Sequence, residues 1–600
     1  MDREQFLGYL PDERPPALKL FLYALQQVIV MFPATIAVAL ITGFQVSTTI
    51  FASGIATVCF VFITGGKIPM YYGSSFSYLT AVMSLVTSEA IQAKMSPEAV
   101  QQVLAWQAGE WPVMPTEAIQ FAQFGIVMSG FVSIAAGLIV KYAGRKAVET
   151  ILPPTITGSI AMVIGLTLAS NALSDAMPQA AEGITGSNWV WAVSLITLLV
   201  TVLVARYAKG LISQLPLLFG VAAGLIASVI ACAATGDWTL FRGISDEALA
   251  SPFKLGNIFA VPAFSFPKVS WEAVLAIMPI AIATIPESTA HIYQLDIYVN
   301  DIAKKKGLGD QGLANMLPRN LIGDGLCDMI SGVIGGPAGT NYGENISTMA
   351  ITRVFSVPVM FVAGIIAMIV ACFTPLVKGI YGIPLAVIGG LEIYLFGAIA
   401  AQGIAIMIDA KVDMFSGKNI AVIAIIMIFA LGGQYACGGN IPMFGIDVPC
   451  IAGAAIIGII FNALMSIGAV KGIEFGAGFR VAEMLGSECN DEMYWDKETG
   501  RVKFYTNHAG GFLGGISNGD EVRVRLAVKP TPTVDVVQRT IDAEKGEDVK
   551  LAPITRRDAS LLPRIYPVAE AMARIAIVDA LMQFKGFRAM EELDEKYDRM

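Results

Sequence analysis

The feature that most constrains this chain is a succession of apolar stretches that begins at residue 18 and continues to residue 466. A helix that crosses a bilayer needs about 17 to 25 mainly apolar residues. Fourteen stretches are candidates: 18–42, 46–64, 74–88, 118–140, 151–170, 188–205, 211–235, 271–295, 312–334, 343–356, 357–376, 384–408, 418–436 and 447–466. The third and the tenth are too short to cross as plain helices. The sequence therefore predicts an all-α polytopic membrane protein with two interrupted segments.

Composition and charge exclude most other classes of protein. The chain is 55% hydrophobic and 15% charged, whereas a soluble globular chain carries about 25% charged residues. Its seven cysteines lack CxxC spacing, so we expect neither a disulfide framework nor a metal site. A basic patch interleaved with aromatic residues is missing from the sequence, so nucleic acid is not an expected partner. Residues 1–17 are polar and mixed in charge, which predicts a cytoplasmic N-terminus rather than a signal peptide.

The lysine and arginine residues of the loops predict the orientation of the spans. With a cytoplasmic N-terminus, thirteen basic residues fall in inner loops: Lys67, Lys141, Arg145, Lys146, Arg206, Lys209, Lys304, Lys305, Lys306, Arg319, Arg353, Lys411 and Lys418. Five fall in outer loops: Lys94, Arg242, Lys254, Lys268 and Lys378. This division agrees with the positive-inside rule, and it predicts that the chain beyond the last span is also cytoplasmic.

Two short motifs hold corresponding positions in the two halves of the apolar region. The first half contains Tyr72-Gly73 in IPMYYGSSFSYL, and the second contains Tyr342-Gly343 in GTNYGENISTM. Each motif lies in the third apolar segment of its half, and seven spans per half invert the second half relative to the first. Inverted repeats with matching interrupted segments mark the central site of many transporters. Chance recurrence in a glycine-rich chain is the alternative, and the matched location favours the functional interpretation.

Five ionisable residues inside the apolar stretches are candidate functional groups. A charge at this depth costs about 3 kcal/mol, so each needs a partner or a purpose. Glu287 and His291 are four residues apart on one helical face, where they can hydrogen-bond, hold a proton or form a structural ion pair. Glu344 can accept two N–H groups from a planar ligand, or cap the helix that follows it. Asp324 is expected to be structural or proton-linked, and Glu392 has no evident partner.

Five longer motifs follow one another in order within residues 16–461: LQQVIVMFPATIAVALITG, GGKIPMYYGSSFSYL, LPPTITGSIAMVIGLTLA, IPESTAHI and GGPAGTNYGENISTMAITR. Together they resemble the nucleobase–ascorbate transporter family, and most closely its bacterial uracil permeases. The resemblance implies fourteen transmembrane segments in two inverted repeats over residues 18–466, divided into core and gate subdomains, with short strands in segments 3 and 10. It also implies proton-coupled import of a nucleobase across the bacterial inner membrane by alternating access.

The resemblance implies which molecules the transporter meets. The expected partners are the lipid bilayer and a nucleobase, with the proton as the coupling ion and without a cofactor for transport. A homodimer is a further candidate assembly, and the oligomeric state is left open. Purine carriers often have glutamine at the position of Glu344, so the carboxylate here favours uracil over xanthine or urate.

The resemblance further implies roles for individual residues. Glu287 and Glu344 correspond to the carboxylates that bind the N–H and carbonyl edge of the nucleobase. Backbone contacts correspond to Phe76 and Gly343. The complete substrate-binding set is Glu287, Glu344, Phe76, Gly343, Tyr342 and Phe396, and the set for proton coupling or its support is His291, Asp324 and Gln27.

Four positions depart from the family pattern or differ within it. Phe396 stands where uracil permeases place a tyrosine near the substrate. Gln27 replaces a histidine that is common in the first span, and from the residue alone its amide can serve a neighbour or the ligand, with packing as the favoured role. Ser347 occupies a glycine position of the tenth-segment motif, and Glu392 is unexpected.

After about residue 461 the composition becomes charged and rich in turns, as in soluble proteins. The stretches NALMSIGAVKGIEFGAGFRVAEMLGSECND, TNHAGGFLGGISNGDEVRVRLAVKPTPT and ITRRDASLLPRIYPVAEAMARIAIVDAL lie there. They resemble the C-terminal part of chorismate synthase, a lyase of aromatic amino acid biosynthesis that uses reduced FMN. Residues 467–600 are therefore expected to form a cytoplasmic α+β fragment.

The resemblance to chorismate synthase also implies flavin contacts and one acidic residue of a late Arg-His-Asp motif. The flavin positions are Asn462, Ala463, Gly514, Lys529, Pro530, Thr531, Pro532, Thr533 and Arg556, and the acidic residue is Asp558. The synthase family relies on two histidines in an N-terminal half that has no counterpart here, and the whole chain contains two histidines, His291 and His508. We therefore expect an inactive remnant, with lyase activity and bound FMN as the alternative.

Overall fold

The computed structural model describes most of the chain up to residue 465 and parts of the remainder. The described residues are 7–108, 111–144, 153–180, 182–210, 212–242, 254–255, 258–443, 446–465, 470–497, 501–510, 512–513, 516–517, 521, 523–529, 537–542, 546–551, 563, 565–572 and 574. The chain divides into two units. The first comprises Met1–Val412, Ala430–Asn440 and Val448–Ala455, and the second comprises Asp413–Phe429, Ile441–Asp447 and Ile456–Met600.

Helices dominate the described residues up to 465. They are α1 Ala17–Thr42, α2 Val46–Ile63, α3 Leu79–Thr87, α4 Glu89–Gln92, α5 Pro97–Gln107, α6 Thr116–Ala143, α7 Pro154–Thr167, α8 Ala169–Ala176, α9 Trp189–Tyr207, α10 Pro216–Thr235, α11 Trp271–Ile277, α12 Ala281–Lys305, α13 Leu317–Ile334, α14 Gly343–Thr352, α15 Val357–Ala371, α16 Thr374–Tyr381, α17 Leu385–Asp409, α18 Gly417–Cys437 and α19 Cys450–Met465. A further short helix, α20, spans Gly486–Cys489.

The strands are short and pair two by two. They are β1 Tyr72–Ser74, β2 Lys254–Leu255, β3 Phe259–Ala260, β4 Gly339–Asn341, β5 Asn440–Met443, β6 Ile446–Pro449, β7 Val470–Phe475, β8 Met493–Asp496, β9 Arg501–Phe504, β10 Phe512–Leu513, β11 Ile516–Ser517, β12 Val524–Val528, β13 Gln538–Asp542 and β14 Glu547–Leu551. In the first unit β1 pairs with β4, two strands that are far apart in the chain.

Nine helical stretches in the described residues are long and apolar enough to cross a membrane. They are Ala17–Thr42, Val46–Ile63, Thr116–Tyr142, Pro154–Ala176, Trp189–Tyr207, Pro216–Thr235, Trp271–Lys305, Leu385–Asp409 and Gly417–Cys437. The prediction of a mainly helical, polytopic membrane protein is confirmed at this level. The third and tenth apolar stretches were predicted to be interrupted. The third begins at the end of β1 and continues as a helix of 9 residues, and the tenth follows β4 and continues as a helix of 10 residues.

Three pairs of long helices cross so closely that their backbones touch through glycine. The pairs are α2 with α15 at Gly54 and Gly364, α6 with α13 at Gly130 and Gly325, and α7 with α17 at Gly158 and Gly403. A Cβ atom added at any of these glycines would lie 2.3–2.7 Å from the partner glycine's carbonyl oxygen. Helices in membranes associate through small residues because these let the backbones approach. The six glycines therefore allow the two helices of each pair to pack at backbone contact.

The C-terminal part of the second unit is built differently. Its strands form separate two-stranded antiparallel pairs, β7 with β12, β8 with β9, β10 with β11 and β13 with β14. Large side chains are exposed on it, among them Phe479, Trp495 and Tyr505, which are 79%, 64% and 70% exposed. In the described part of this region, no two of these pairs join into a larger sheet. Isolated two-stranded pairs are marginally stable in water.

Candidate functional site

The two motifs that the sequence singles out meet in the structure. β1 runs antiparallel to β4, with Tyr72 opposite Asn341 and Ser74 opposite Gly339. Each strand provides hydrogen-bond partners for the backbone N–H and C=O groups of the other. A non-helical segment at membrane depth requires such partners. We refer to residues 72–77 as the first break and to residues 339–344 as the second break.

Each break contributes a tyrosine that lies over a glycine of the other break. A Cβ atom at Gly73 would lie 2.4 Å from the ring of Tyr342, and a Cβ atom at Gly339 would lie 2.4 Å from the ring of Tyr72. Real Cβ atoms do not approach other atoms so closely. The two glycines are therefore needed because each makes room for the tyrosine of the opposite break.

The hydroxyl groups of these two tyrosines have different partners. That of Tyr342 donates to the carbonyl oxygen of Ser74 at 2.9 Å and lies 3.0 Å from Oγ1 of Thr35. The hydroxyl of Tyr72 donates to the carboxylate of Asp328 on α13. Asp328 is absent from the residues predicted from the sequence. The signal that could have found it is its place four residues after the candidate Asp324, in GDGLCD, which puts both acids on one helical face.

A cavity of about 150 Å³ lies beside the two breaks. Its lining comes from both breaks, from α12 and from one face each of α7 and α17: Ser74, Ser75, Phe76, Ser77, Ala161, Glu287, Thr340, Asn341, Tyr342, Gly343, Glu344, Leu395, Ala398, Ile399, Gln402 and Ile406. The structure thus brings together five of the six residues predicted for the substrate site. Two of them, Glu287 and Glu344, are carboxylates, which when ionised offer hydrogen-bond acceptors only.

The position of Glu344 distinguishes between its two predicted roles. The N-cap residue of α14 is Tyr342, which makes no side-chain capping hydrogen bond, and Glu344 lies in the first helical turn. Its side chain is exposed and lines the cavity. A carboxylate there is favoured by the partial positive charge of the helix N-terminus. Glu344 is therefore not the N-cap residue, and it places its carboxyl group both at the start of α14 and in the cavity lining.

His291 is buried and packs against the second break. Within the described part of the chain, no hydrogen bond joins its imidazole to Glu287, and its Nδ1 has no partner. A Cβ atom at Gly343 would lie 2.9 Å from Nε2 of His291. The predicted pairing of Glu287 with His291 is therefore not formed here, and His291 instead occupies the space that Gly343 leaves open.

Three further polar candidates are buried outside the cavity lining. Gln27 accepts hydrogen bonds from Nδ2 of Asn345, through Oε1 at 2.7 Å and through its backbone carbonyl at 3.0 Å, and so holds the residue next to Glu344. Asp324 on α13 and Glu392 on α17 each have one carboxylate oxygen without a hydrogen-bond partner among the described residues. Asp324 therefore remains a candidate for holding a proton, the role that the resemblance implies for it.

Phe396 does not line the cavity, although its position in the family led us to expect it near the substrate. Its side chain is 2% exposed and packs in a cluster with Leu79 and Leu168. The face of α17 that lines the cavity instead presents Leu395 and Ile399. Consecutive residues of a helix point about 100° apart, so one position decides which face a side chain occupies.

Several lining residues were missed from the sequence. Ser74, Ser75 and Asn341 lie within the two breaks, and Gln402 lies on α17. A glutamine within the apolar run AIAAQGIAI is a signal that could have indicated Gln402, because an uncharged amide in a membrane helix usually faces a partner or a cavity. The serines carry no such signal, since small polar residues are common in membrane helices.

Only part of the predicted flavin set falls within the described residues. Asn462 is buried in α19, which also contains Ala463, and Lys529 is exposed directly after β12. The other positions lie outside the described residues, namely Gly514, Pro530, Thr531, Pro532, Thr533, Arg556 and the acidic Asp558.

Comparisons with known proteins agree with both resemblances. Residues 18–437 match the Permease family, and residues 430–582 match Chorismate synthase. The uracil permease of Escherichia coli K12 is 32% identical over 445 residues, which cover 74% of this chain and 92% of that protein. The uracil permease of Bacillus caldolyticus is 31% identical over 458 residues, which cover 76% and 94%. Both resemblances found in the motifs are confirmed, and the second match begins earlier than residue 462.

A solved structure supports the fold. The murine anion transporter Slc26a9, in its inward-facing state, superposes with a TM-score of 0.50 over 76% of this chain and 69% of that chain. The two sequences are 14% identical, so the likeness concerns the fold alone.

Proposed function

Because the chain belongs to the permease family, we propose that it carries uracil together with a proton across the bacterial inner membrane, by alternating access. The observation that carries this proposal is the convergence of Glu287 and Glu344 on one small cavity. Two carboxylates supply acceptors that suit a planar ring with N–H groups on its edge. The uracil permeases that align with this chain over 92% and 94% of their lengths support a nucleobase as the substrate.

In this proposal Phe76 and Gly343 contribute backbone contacts to the substrate, since both line the cavity at the ends of the two strands. The proton is the coupling ion, and transport needs no cofactor. Asp324, with its unpartnered carboxylate oxygen, and His291, with its unpartnered Nδ1, are the groups assigned to proton coupling. Gln27 supports them through its contact with Asn345.

The proposal includes fourteen segments in two inverted repeats, with both termini in the cytoplasm. When the fourteen stretches are numbered in order, α2 and α15 are the second and eleventh, and α6 and α13 are the fourth and ninth. If seven is added to each number, counting on from one after fourteen, the second and eleventh segments become the ninth and fourth, which are the second pair. The fifth and twelfth segments, α7 and α17, exchange with each other under the same shift. The three glycine crossings therefore follow the order that two repeats predict, which supports this part of the proposal.

Uptake of radiolabelled uracil by cells that express the chain tests the proposal. We expect uptake that a proton uncoupler abolishes, and a loss of roughly 100-fold in Glu287→Gln, because charged hydrogen bonds are worth about 1.5–3 kcal/mol each. Glu392→Gln is the matched control, since Glu392 is a buried acid that does not line the cavity, and it is expected to retain uptake.

Two results would contradict specific parts of the proposal. Uptake that persists with the uncoupler would exclude proton symport while leaving uracil as the ligand. Xanthine that competes with uracil at equal concentration would exclude the preference for uracil that we attribute to Glu344.

The second candidate function is a membrane-tethered chorismate synthase, and the match of residues 430–582 is the observation that favours it. The family converts 5-enolpyruvylshikimate 3-phosphate to chorismate with reduced FMN. The chain has one histidine beyond the apolar region, His508, and its backbone N–H donates to Asp491 at 2.7 Å. We propose that this region is inactive. FMN binding together with chorismate formation by the purified chain would reverse that conclusion.

A further inference from the structure

One carboxylate oxygen links both breaks to α13. Oδ1 of Asp328 accepts the hydrogen bond from the hydroxyl of Tyr72, and it also accepts one from the backbone N–H of Gly339 at 2.8 Å. Tyr72 belongs to the first break and Gly339 to the second. The side chain of Asp328 is enclosed, with the residue 1% exposed, and it is not part of the cavity lining. Three chain segments therefore meet at one buried atom.

Loss of this acceptor would leave two donors without partners in the interior of the protein. An unpaired buried N–H or O–H group is costly because water is not available to replace the lost bond. The ring of Tyr72 also rests on Gly339, so the two donors cannot separate without a shift of the tyrosine ring. The arrangement around Asp328 consequently fixes how β1 lies on β4.

The position of the strands sets the position of the cavity walls. The first break contributes Ser74 to Ser77 to the lining, and the second contributes Thr340 to Glu344. Glu344 lies only three residues beyond the end of β4. A small displacement of one strand against the other would therefore move both walls, and with them a carboxylate proposed to bind the substrate.

Tyr342, the tyrosine of the second break, does not share a hydrogen-bond acceptor with the first break in this way. The hydroxyl of Tyr342 reaches a carbonyl oxygen and the hydroxyl of Thr35. Among the described residues, neither of these groups also accepts a hydrogen bond from the other break, whereas Oδ1 of Asp328 accepts one from each break. The contact that joins the breaks to α13 is thus made by the tyrosine of the first break, which itself places no acidic residue in the cavity lining.

We infer that Asp328 is a positioning residue for the substrate cavity, which holds the two breaks in register through Tyr72 and Gly339. This inference rests on the proposed function for the identity of the ligand, uracil. It assigns Asp328 no contact with that ligand.

Binding of uracil to the purified full-length chain, well below its unfolding temperature and normalised to folded protein, tests the inference. Asp328→Ala is expected to raise Kd at least tenfold, which corresponds to about 1.4 kcal/mol. Asp328→Asn, whose amide oxygen can accept the same two hydrogen bonds, is expected to stay within about threefold. Tyr72→Phe should fall between them, and it remains informative if Asp328→Ala does not fold. The control is Tyr71→Phe, which removes the hydroxyl of a neighbouring buried tyrosine that accepts a hydrogen bond from the hydroxyl of Ser53.

Hydrogen exchange measured on peptides that cover the two breaks gives a reading that needs no substrate. Asp328→Ala and Tyr72→Phe are expected to exchange faster in both breaks, while Asp328→Asn and Tyr71→Phe are not. Unchanged exchange in Asp328→Ala would overturn the inference whatever the substrate is. So would an unchanged Kd with only a lower melting temperature, or an Asp328→Asn variant as damaged as Asp328→Ala. Failure of the unmodified chain to bind uracil would instead overturn the proposed function.

Discussion

The first and second breaks share one geometry and differ in the side chains that they present to the cavity. In both, a strand that is three residues long ends beside the cavity, and a tyrosine lies over the glycine of the other break. After the first strand come Ser75, Phe76 and Ser77, which are neutral, and after the second comes Glu344. The shared geometry positions the backbone, and under the proposed function the unshared carboxylate is the group by which the second break selects a ligand.

The largest expected effect is a difference in uptake between a variant of the acidic residue of the second break and a variant of a neutral residue of the first. Glu344→Gln is expected to reduce uracil uptake by roughly 100-fold, since an amide replaces an acceptor that is charged when ionised. Ser75→Ala, at a lining position of the first break, is expected to change uptake by less than about threefold, because a neutral hydrogen bond contributes about 1 kcal/mol or less. Radiolabelled uptake corrected for the amount of protein in the membrane measures both. Equal losses in the two variants would show that the breaks share the work of selection.

The next effect tests the geometry that the breaks share. Gly73→Ala and Gly339→Ala each place a Cβ atom 2.4 Å from a tyrosine ring, and overpacking of this kind costs about 1–3 kcal/mol. We expect similar decreases in melting temperature for the purified variants. The control is Gly417→Ala, because Gly417 has open space around it. Gly66 also has open space, but its positive φ of 67° would strain an alanine there. A decrease in only one of the two variants would show that the two breaks do not depend equally on their tyrosine–glycine contacts.

A smaller effect concerns the second tyrosine. Tyr342→Phe removes the hydrogen bond to Ser74 and the contact with Thr35, with an expected loss of about 1 kcal/mol in stability. Thr35→Val should produce part of that loss, because the bond to Ser74 remains. The difference in melting temperature between Tyr342→Phe and Tyr72→Phe then compares a neutral partner with a carboxylate. We expect the larger decrease in Tyr72→Phe, and the reverse order would contradict our account of Asp328.

The smallest expected effect lies outside both breaks. A chain that ends at Ala469 keeps both breaks and all the cavity-lining residues, and it lacks most of the chorismate synthase-like region. We expect its uracil uptake to stay within about twofold of the full chain, since it retains every residue that is proposed to bind uracil. A loss of uptake at normal membrane levels would show that the C-terminal region takes part in transport.

The sequence was sufficient to predict the breaks and the two carboxylates. Tyr-Gly motifs at matching positions and acids inside apolar runs are local signals, and these residues line one cavity. Phe396 was placed by its position in the family, but the side of a helix that faces a cavity depends on how the whole helix is rotated by its packing. The spacing of Asp328 from Asp324 could have marked Asp328 as a candidate, but its role depends on a contact with Tyr72 across 256 residues, which no local pattern contains.

The glycine crossings also limit how this molecule can move. Where each helix places its carbonyl oxygen in the space that a Cβ atom of the other would fill, the two helices cannot slide along each other without a steric clash. α2 is locked to α15, α6 to α13 and α7 to α17, so each pair moves as a rigid body. The cavity has one wall from the breaks and another from α7 and α17. A displacement of α7 and α17 relative to the breaks would therefore change the cavity itself, which is the kind of movement that the proposed alternating access requires.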